Sequence, residues 1–358
     1  RGEVIPDGWR STEVRDALDL CLACKGCKVD CPVGVDVATY KAEFLSHHYK
    51  HRLRPMAHYS MGWLPVWAQV ARRAPRVVNA ATHARVLSGL LKRAGGIAAE
   101  RELPRFAEQP FTDWFAARPR VAGERTRVLL WPDTFTNFFH PSIGRAAVEV
   151  LEAAGYEVTL PSRPVCCGLT WISTGQLTTA KRVLRRTVGV LRDAIRDGIP
   201  IVGLEPSCSA VFRSDAAELL PDDEDIRRMS KQFVTFAELL RDWQPPQLDV
   251  HAMVQTHCHE HAVLAPDAEA DLMKRAGIDR EQLESGCCGL AGNFGFERGH
   301  YDVSIAAGER VLLPRVRSAD EATVVVADGF SCRTQIEQAT ERRAVHLAEL
   351  LATGLQED

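Results

Sequence analysis

The stretch LDLCLACKGCKVDCPVG, residues 18–34, carries four thiols at Cys21, Cys24, Cys27 and Cys31, with Pro32 directly after the last. Structural zinc is usually held by two separated pairs of ligands. Here three thiols stand at intervals of three residues and the fourth follows four residues on. One turn of loop can wrap such a run around a cubane iron–sulfur cluster, and a final Cys-Pro suits that use. In proteins that hold two clusters, the fourth cysteine of such a run ligates the other cluster. Cys31 therefore either closes its own site or serves a cluster completed by residues upstream of Arg1. The chain starts on Arg rather than Met, so an upstream ferredoxin-type run is the expected source.

Seven further cysteines follow after a long gap: Cys166, Cys167, Cys208, Cys258, Cys287, Cys288 and Cys332. Cys258, Cys287, Cys288 and Cys332 form a complete set of four soft ligands, enough for an iron–sulfur cluster. Adjacent thiols cannot face one metal from a relaxed strand, but the turn opened by Gly286 and Gly289 permits it. Gly289 and Gly292 are read as letting backbone approach a cluster. Cys166, Cys167 and Cys208 have Asp133 where a fourth thiol would stand. For them a weaker cluster, a zinc or iron ion completed by a histidine, and no metal all remain open. Alternation along an extended THCHEHAV turns His257, His259 and His261 away from Cys258, into a solvated or supporting role. The histidines of SHHYKHRLRPMAH are read as an exposed helix face.

The elements that position these thiols repeat. Cys166-Cys167-Gly168 matches Cys287-Cys288-Gly289 at an offset of 121, Ser207-Cys208 matches Ser331-Cys332 at 124, and Asp133 matches Cys258 at 125. Around each set, short β-rich runs such as RVLLWPD, PIVGLEP, HAMVQTH and ATVVVADGF alternate with helical patterns, one of them spanning FERGHYDVSIAAGERVLLPRVRSA as a single long helix. That alternation predicts mainly parallel sheets, with ligands at the strand ends. The expected division is a helical ferredoxin-like domain over 1–56, a helical connector over 57–123, and two pseudo-repeated α/β modules over 124–247 and 248–358.

The 358 residues are 46% hydrophobic, with 44 basic against 47 acidic side chains, so no basic excess argues for nucleic acid. No apolar run is long enough for a spanning helix, and nothing resembles a signal peptide. A cytoplasmic location is expected, with peripheral contact at the inner face of the membrane as a variant. Trp63, Leu64, Val66, Trp67 and Val70, flanked by Arg72 and Arg73, are read as packing against another domain in preference to a membrane surface. Eleven cysteines without a secretion signal favour metal ligation over disulfides.

The doublets PVCCGL and SGCCGLAG, each followed by a distant SC, resemble the cysteine-rich CCG domains of four groups of proteins. These are the B subunit of heterodisulfide reductase, the iron–sulfur subunit of glycolate oxidase, the C subunit of anaerobic glycerol-3-phosphate dehydrogenase, and lactate-utilisation proteins. LWPDTFTNFF, CCGLTWISTGQL, VGLEPSC and ADGFSCRTQIEQ are similar to the iron–sulfur half of bacterial FAD-binding oxidoreductases of the D-2-hydroxyglutarate dehydrogenase type. The resemblance implies a ferredoxin-type [4Fe-4S] cluster, at least one CCG-type cluster, and an upstream FAD domain or flavoprotein subunit that oxidises a D-2-hydroxy acid. Electrons would pass to a quinone, an electron-transfer flavoprotein or a ferredoxin. CCG domains often end in CxxC, whereas Cys208 and Cys332 stand alone, which weakens transfer of disulfide-reducing chemistry. A catalytic disulfide-reducing site remains the alternative, and a structural zinc scaffold a third.

Overall fold

The computed structural model describes residues 5, 7–119, 125–264 and 266–356. Eight strands form two sheets. The first contains β1 (Thr126–Leu130), β2 (Tyr156–Thr159), β3 (Ile201–Gly203) and β4 (Phe233–Thr235), in the order β2-β1-β3-β4. The second contains β5 (His251–Val254), β6 (Asp279–Gln282), β7 (Val324–Val326) and β8 (Ala344–Val345), in the order β6-β5-β7-β8. Every pairing is parallel. The two sheets share one topology, so the offset read from the cysteines is a repeat of architecture.

Strand composition explains the burial. Val128, Leu130, Val202, Ala252, Val254 and Val326 are all buried in one continuous apolar cluster that joins both sheets. Strands covered by helices on both faces read as unbroken apolar runs. Helices Pro141–Ala153 and Leu347–Gly354 contribute Ile143, Ala147, Leu151, Leu347 and Leu351 to the same cluster. Further bonds cross between the modules: the His346 ring meets the Leu204 carbonyl at 3.0 Å, and Phe135 stacks on Phe330 at 4.1 Å between centroids.

The strands β4, β6 and β8 were not read from sequence. They are edge strands of two to four residues, either wholly polar like β6 (DREQ) or too short to show a pattern like β4 (FVT) and β8 (AV), so they lack the signature of their central neighbours. The single helix expected over the region after Phe296 is two, Tyr301–Glu309 and Leu312–Ser318. Pro314 gives the reason, since its ring clashes with the carbonyl four residues earlier in a continuous helix.

Ahead of the sheets, helices Thr12–Asp19, Gly26–Asp30 and Val37–His48 surround the first cysteine run. Helices Leu64–Ala71, Pro75–His83 and Arg85–Gly95 follow. Among the histidines expected on an exposed face, His48 and His58 are buried. The His48 ring instead meets the Trp9 carbonyl at 3.0 Å. No helix of the described residues is long and apolar enough to cross a membrane.

Arg101 ties the segment before the sheets to the second module. It is fully buried, donating through Nε to the Gly295 carbonyl at 2.8 Å and through Nη2 to Ser304 Oγ at 2.7 Å. Its guanidinium also lies over the Tyr301 ring, 4.9 Å from the centroid. Arg101→Met strands a buried carbonyl and a hydroxyl; we expect a loss of about 3 kcal/mol, read as a lower urea midpoint at unchanged slope.

Candidate metal centre

Each thiol of the two modules lies just past the carboxyl end of a strand. Asp133 follows β1, Cys166 and Cys167 follow β2, and Cys208 lies in helix Pro206–Ala210 after β3. In the second module Cys258 opens helix Cys258–Val263 after β5, Cys287 and Cys288 follow β6, and Cys332 lies in helix Phe330–Ala339 after β7. Parallel sheets place ligand crevices at this end. The repeated topology thus delivers two equivalent donor sets.

In the first set two of the three thiols are paired. Cys167 Sγ lies 3.0 Å from Cys208 Sγ, and Cys166 contacts Cys167. The contact with Cys167 and then burial push the Cys166 thiol well up. Cys208 is lowered by its Cys167 contact, but burial and the nearby Asp133 outweigh this and raise it to about 11. Asp133 Oδ1 accepts from the amides of Phe135 and Thr136, both at 2.9 Å. Its other oxygen, Oδ2, is buried without a hydrogen-bond partner. Burial and then the charge of Glu205 raise this carboxyl to about 6. Three thiols and a spare carboxylate oxygen are soft and borderline donors by type, but among the described residues no three of these ligand atoms lie within 4.8 Å of one another, so they are not gathered around a single cation.

In the second set the thiols act on one another in order, Cys258 on Cys287, Cys287 on Cys288, and Cys288 on Cys332. The doublet bends at two left-handed glycines, Gly286 at φ +65° and Gly289 at φ +91°. Amides turn toward sulfur in both modules, with Gly168 N–H on Cys166 and Gly289 N–H on Cys287, each at 3.4 Å. Such donors stabilise anionic sulfur and tune a cluster. Gly289 also lies against the chain, since a Cβ there would sit 2.0 Å from the Ser304 carbonyl oxygen. Gly292 donates its amide to Ser331 Oγ at 3.0 Å and lines the central cavity.

Sequence reasoning missed that the opening run reaches the second module: Cys24 contacts Cys287, and this contact, first among its neighbours, acidifies the Cys24 thiol. Ala23 and Lys25, on either side of it, hold the left-handed conformation at φ +55° and +61°. Such strain in non-glycine residues persists only where surroundings hold it. Lys25 supplies the hold, buried and bridging Asp36 and Asp215, both at 2.9 Å. Ala23 N–H and Val37 N–H point at Cys21 and Cys27 sulfurs, each at 3.4 Å. Cys31 is set apart: among the described residues its thiol meets the amides of Val35, Val33 and Gly34 and no other sulfur.

The histidine reading needs correction, because THCHEHAV is not extended. His257 caps helix Cys258–Val263 through Nδ1, accepting from His259 N–H at 3.1 Å. His257 and His259 are buried, and burial keeps both neutral down to about 4. His259 Nε2 meets the Ala23 carbonyl at 3.0 Å, joining the opening run to the Cys258 helix. His261 alone faces solvent, 3.2 Å from Asp30.

Between the opening run and the modules lies a cavity of about 300 Å³, bordered by Cys24, Cys258, Cys166, Cys167, Cys208 and Asp133. The converging thiols, amides aimed at sulfur and the unpartnered Asp133 oxygen fit metal or iron–sulfur ligation.

These features define a cysteine-rich α/β chain with two thiol sites at matching places in its two sheets and a third run docked against them. Residues 133–213 match the family model of the cysteine-rich domain CCG, so the first module carries that domain. The chain is similar to the C subunit of anaerobic glycerol-3-phosphate dehydrogenase from Escherichia coli, 29% identical over 295 residues, covering 78% of this chain and 72% of that protein. It is also similar to D-2-hydroxyglutarate dehydrogenase of Pseudomonas putida, 26% identical over 352 residues, covering 95% of this chain and 34% of the relative. The probable glycolate oxidase iron–sulfur subunit of Bacillus subtilis is 23% identical over 397 residues, covering 98% and 84%. The chain thus spans about a third of the length of the dehydrogenase from Pseudomonas putida.

Gly289→Ala combines a steric clash with a forbidden backbone, and we expect it to cost about 3 kcal/mol. Gly286→Ala has open space around its new methyl and pays for φ alone, about 1 kcal/mol. Denaturant melts of the two variants separate these effects.

Proposed function

We propose that this chain is the iron–sulfur electron-transfer part of a flavin-dependent dehydrogenase, relaying electrons from a flavoprotein partner to an external acceptor. The observation that carries the reading is the docking of the opening run on the second thiol set, where His259 Nε2, beside Cys258, meets the Ala23 carbonyl at 3.0 Å and Cys24 neighbours Cys287. Cys21, Cys24 and Cys27 would hold a ferredoxin-type [4Fe-4S] cluster within a ferredoxin-like domain. Cys258, Cys287, Cys288 and Cys332 would hold a CCG-type cluster. The isolation of Cys31 supports assigning it to a different cluster from its neighbours. Bound iron–sulfur groups supply one-electron redox chemistry. The protein fixes their separation, shields them with Trp131, Phe296 and Phe330, and aims amides at their sulfurs.

The likeness to the relatives supports FAD on a partner unit or subunit, with a D-2-hydroxy acid of the hydroxyglutarate or lactate type as the substrate oxidised there. A quinone or an electron-transfer protein fits as acceptor. The four regions 1–56, 57–123, 124–247 and 248–358 describe the division of labour: donor-side cluster, connector, and two CCG modules.

A second reading is favoured by the cavity, where Cys166, Cys167 and Cys208 border open space beside Cys24 and Cys258. A disulfide or other two-electron acceptor entering there would be reduced directly at the first module.

Anaerobically isolated protein should contain iron and acid-labile sulfide and show broad visible charge-transfer absorption. Cys287→Ala should lower the iron content and slow reoxidation of the reduced protein by a one-electron dye at least tenfold. A colourless protein holding only zinc would overturn the relay. A paramagnetic state that appears only with a disulfide substrate, and vanishes in Cys166→Ala, would favour the second reading.

A further inference from the structure

The helices between the opening run and the sheets present a surface that the electron relay does not use. Residues 44–99 contain nine Lys or Arg and no Asp or Glu, whereas the rest of the chain carries 35 basic and 47 acidic residues. The same region leaves many apolar side chains in the open, as do residues 5–40 ahead of it. Among the described residues, eleven of the exposed large apolar side chains fall between Leu53 and Leu91, and only Val303 does so in the two sheet modules.

Neither Pro75–His83 nor Arg85–Gly95 buries a single residue. In the second of these, Val86 and Leu90, and Leu87 and Leu91, are four apart, and Leu87 and Leu90 three apart. They form one apolar stripe. Val86, Leu90, Leu87 and Leu91 are 77, 60, 42 and 40% exposed, so none of the described residues covers the stripe. On helix Leu64–Ala71 Val66, Trp67 and Val70 are also exposed, and Tyr59 lies beside them through its carbonyl, which accepts from Trp67 Nε1 at 3.1 Å. Arg72 and Arg76 are neutralised by Asp113 and Glu108. Arg73, Arg85, Lys92 and Arg93 make no ion pair among the described residues.

We propose that this face docks the protein on a membrane surface rich in anionic phospholipid. The apolar stripe enters the headgroup boundary, and the free cations meet lipid phosphates. Trp67 and Tyr59 suit the interfacial depth, where a ring is apolar at one end and polar at the other. Charge argues against a second copy as the occupant. Two copies meeting through one face set the same basic residues against each other. This inference stands apart from the electron-relay reading, because lipid binding is read on the protein whatever metal it carries.

Flotation of the full chain with phosphatidylglycerol–phosphatidylcholine vesicles tests it. The protein should rise with these vesicles, remain behind with pure phosphatidylcholine, and be released by high salt. The double variant Val86→Ser, Leu90→Ser should bind about tenfold more weakly. Arg85→Glu with Arg93→Glu should weaken binding as much, and both pairs should keep the wild-type melting temperature because the residues are exposed. No flotation, equal flotation with both vesicle types, or a solution dimer that the Val86→Ser, Leu90→Ser pair dissociates would each overturn the proposal.

Discussion

The buried ammonium of Lys25 is the interaction on which the arrangement of sulfur depends. A charge taken out of water must be paired, and removing a partner leaves a large penalty. Asp36, from the segment after the run, and Asp215, from the first module, satisfy this one cation together. Burial works against the ammonium, yet the two carboxylates raise its affinity for the proton overall. The pairing holds the strained backbone around Cys24 against the first module, and from there Cys24 reaches Cys287 in the second. Lys28 reinforces it, donating to Ser214 Oγ at 2.9 Å, as does Arg54, which donates to the carbonyls of Thr174 and Gly175 at 2.7 and 2.9 Å.

The two modules show how one topology yields unlike sites. Both use β-strand ends and the turns after them, in the same order, but Asp133 caps its helix where Cys258 offers sulfur. The capping job commits Oδ1 to two amides and leaves Oδ2 without a partner. Glu205 belongs to the same buried polar layer. It accepts from Ser207 Oγ at 2.7 Å and from the Phe330 amide at 2.8 Å, bonding the first module to the helix that carries Cys332. Burial raises its carboxyl first of all, and its charge, after burial, raises the Asp133 carboxyl. The first site is therefore more crowded with oxygen, and the second is purely sulfur.

Much of this was legible in the sequence because soft ligands at fixed offsets are a strong signal. The repeat at 121 to 125 residues anticipated two modules, and alternating apolar runs anticipated β1, β3, β5 and β7. The edge strands β4, β6 and β8 escaped because pairing with a central strand, rather than their own composition, makes them strands. The histidines around Cys258 were misjudged for a related reason: a short helix of six residues carries too little periodicity to be distinguished from an extended segment.

Residue chemistry and spacing alone determined which side chains could bind metal, that they come in repeated sets, and that the sheets would be parallel. Distance between sets could not be read that way, because it depends on how separate segments pack. Only the tertiary structure decided that Cys24 meets Cys287, that Cys31 stands apart, and that the apolar stripe from Val86 to Leu91 faces outward. The docking of Cys24 follows from bonds between distant segments, such as Lys25 to Asp215 and His259 to the Ala23 carbonyl, and no local pattern in a chain records such contacts.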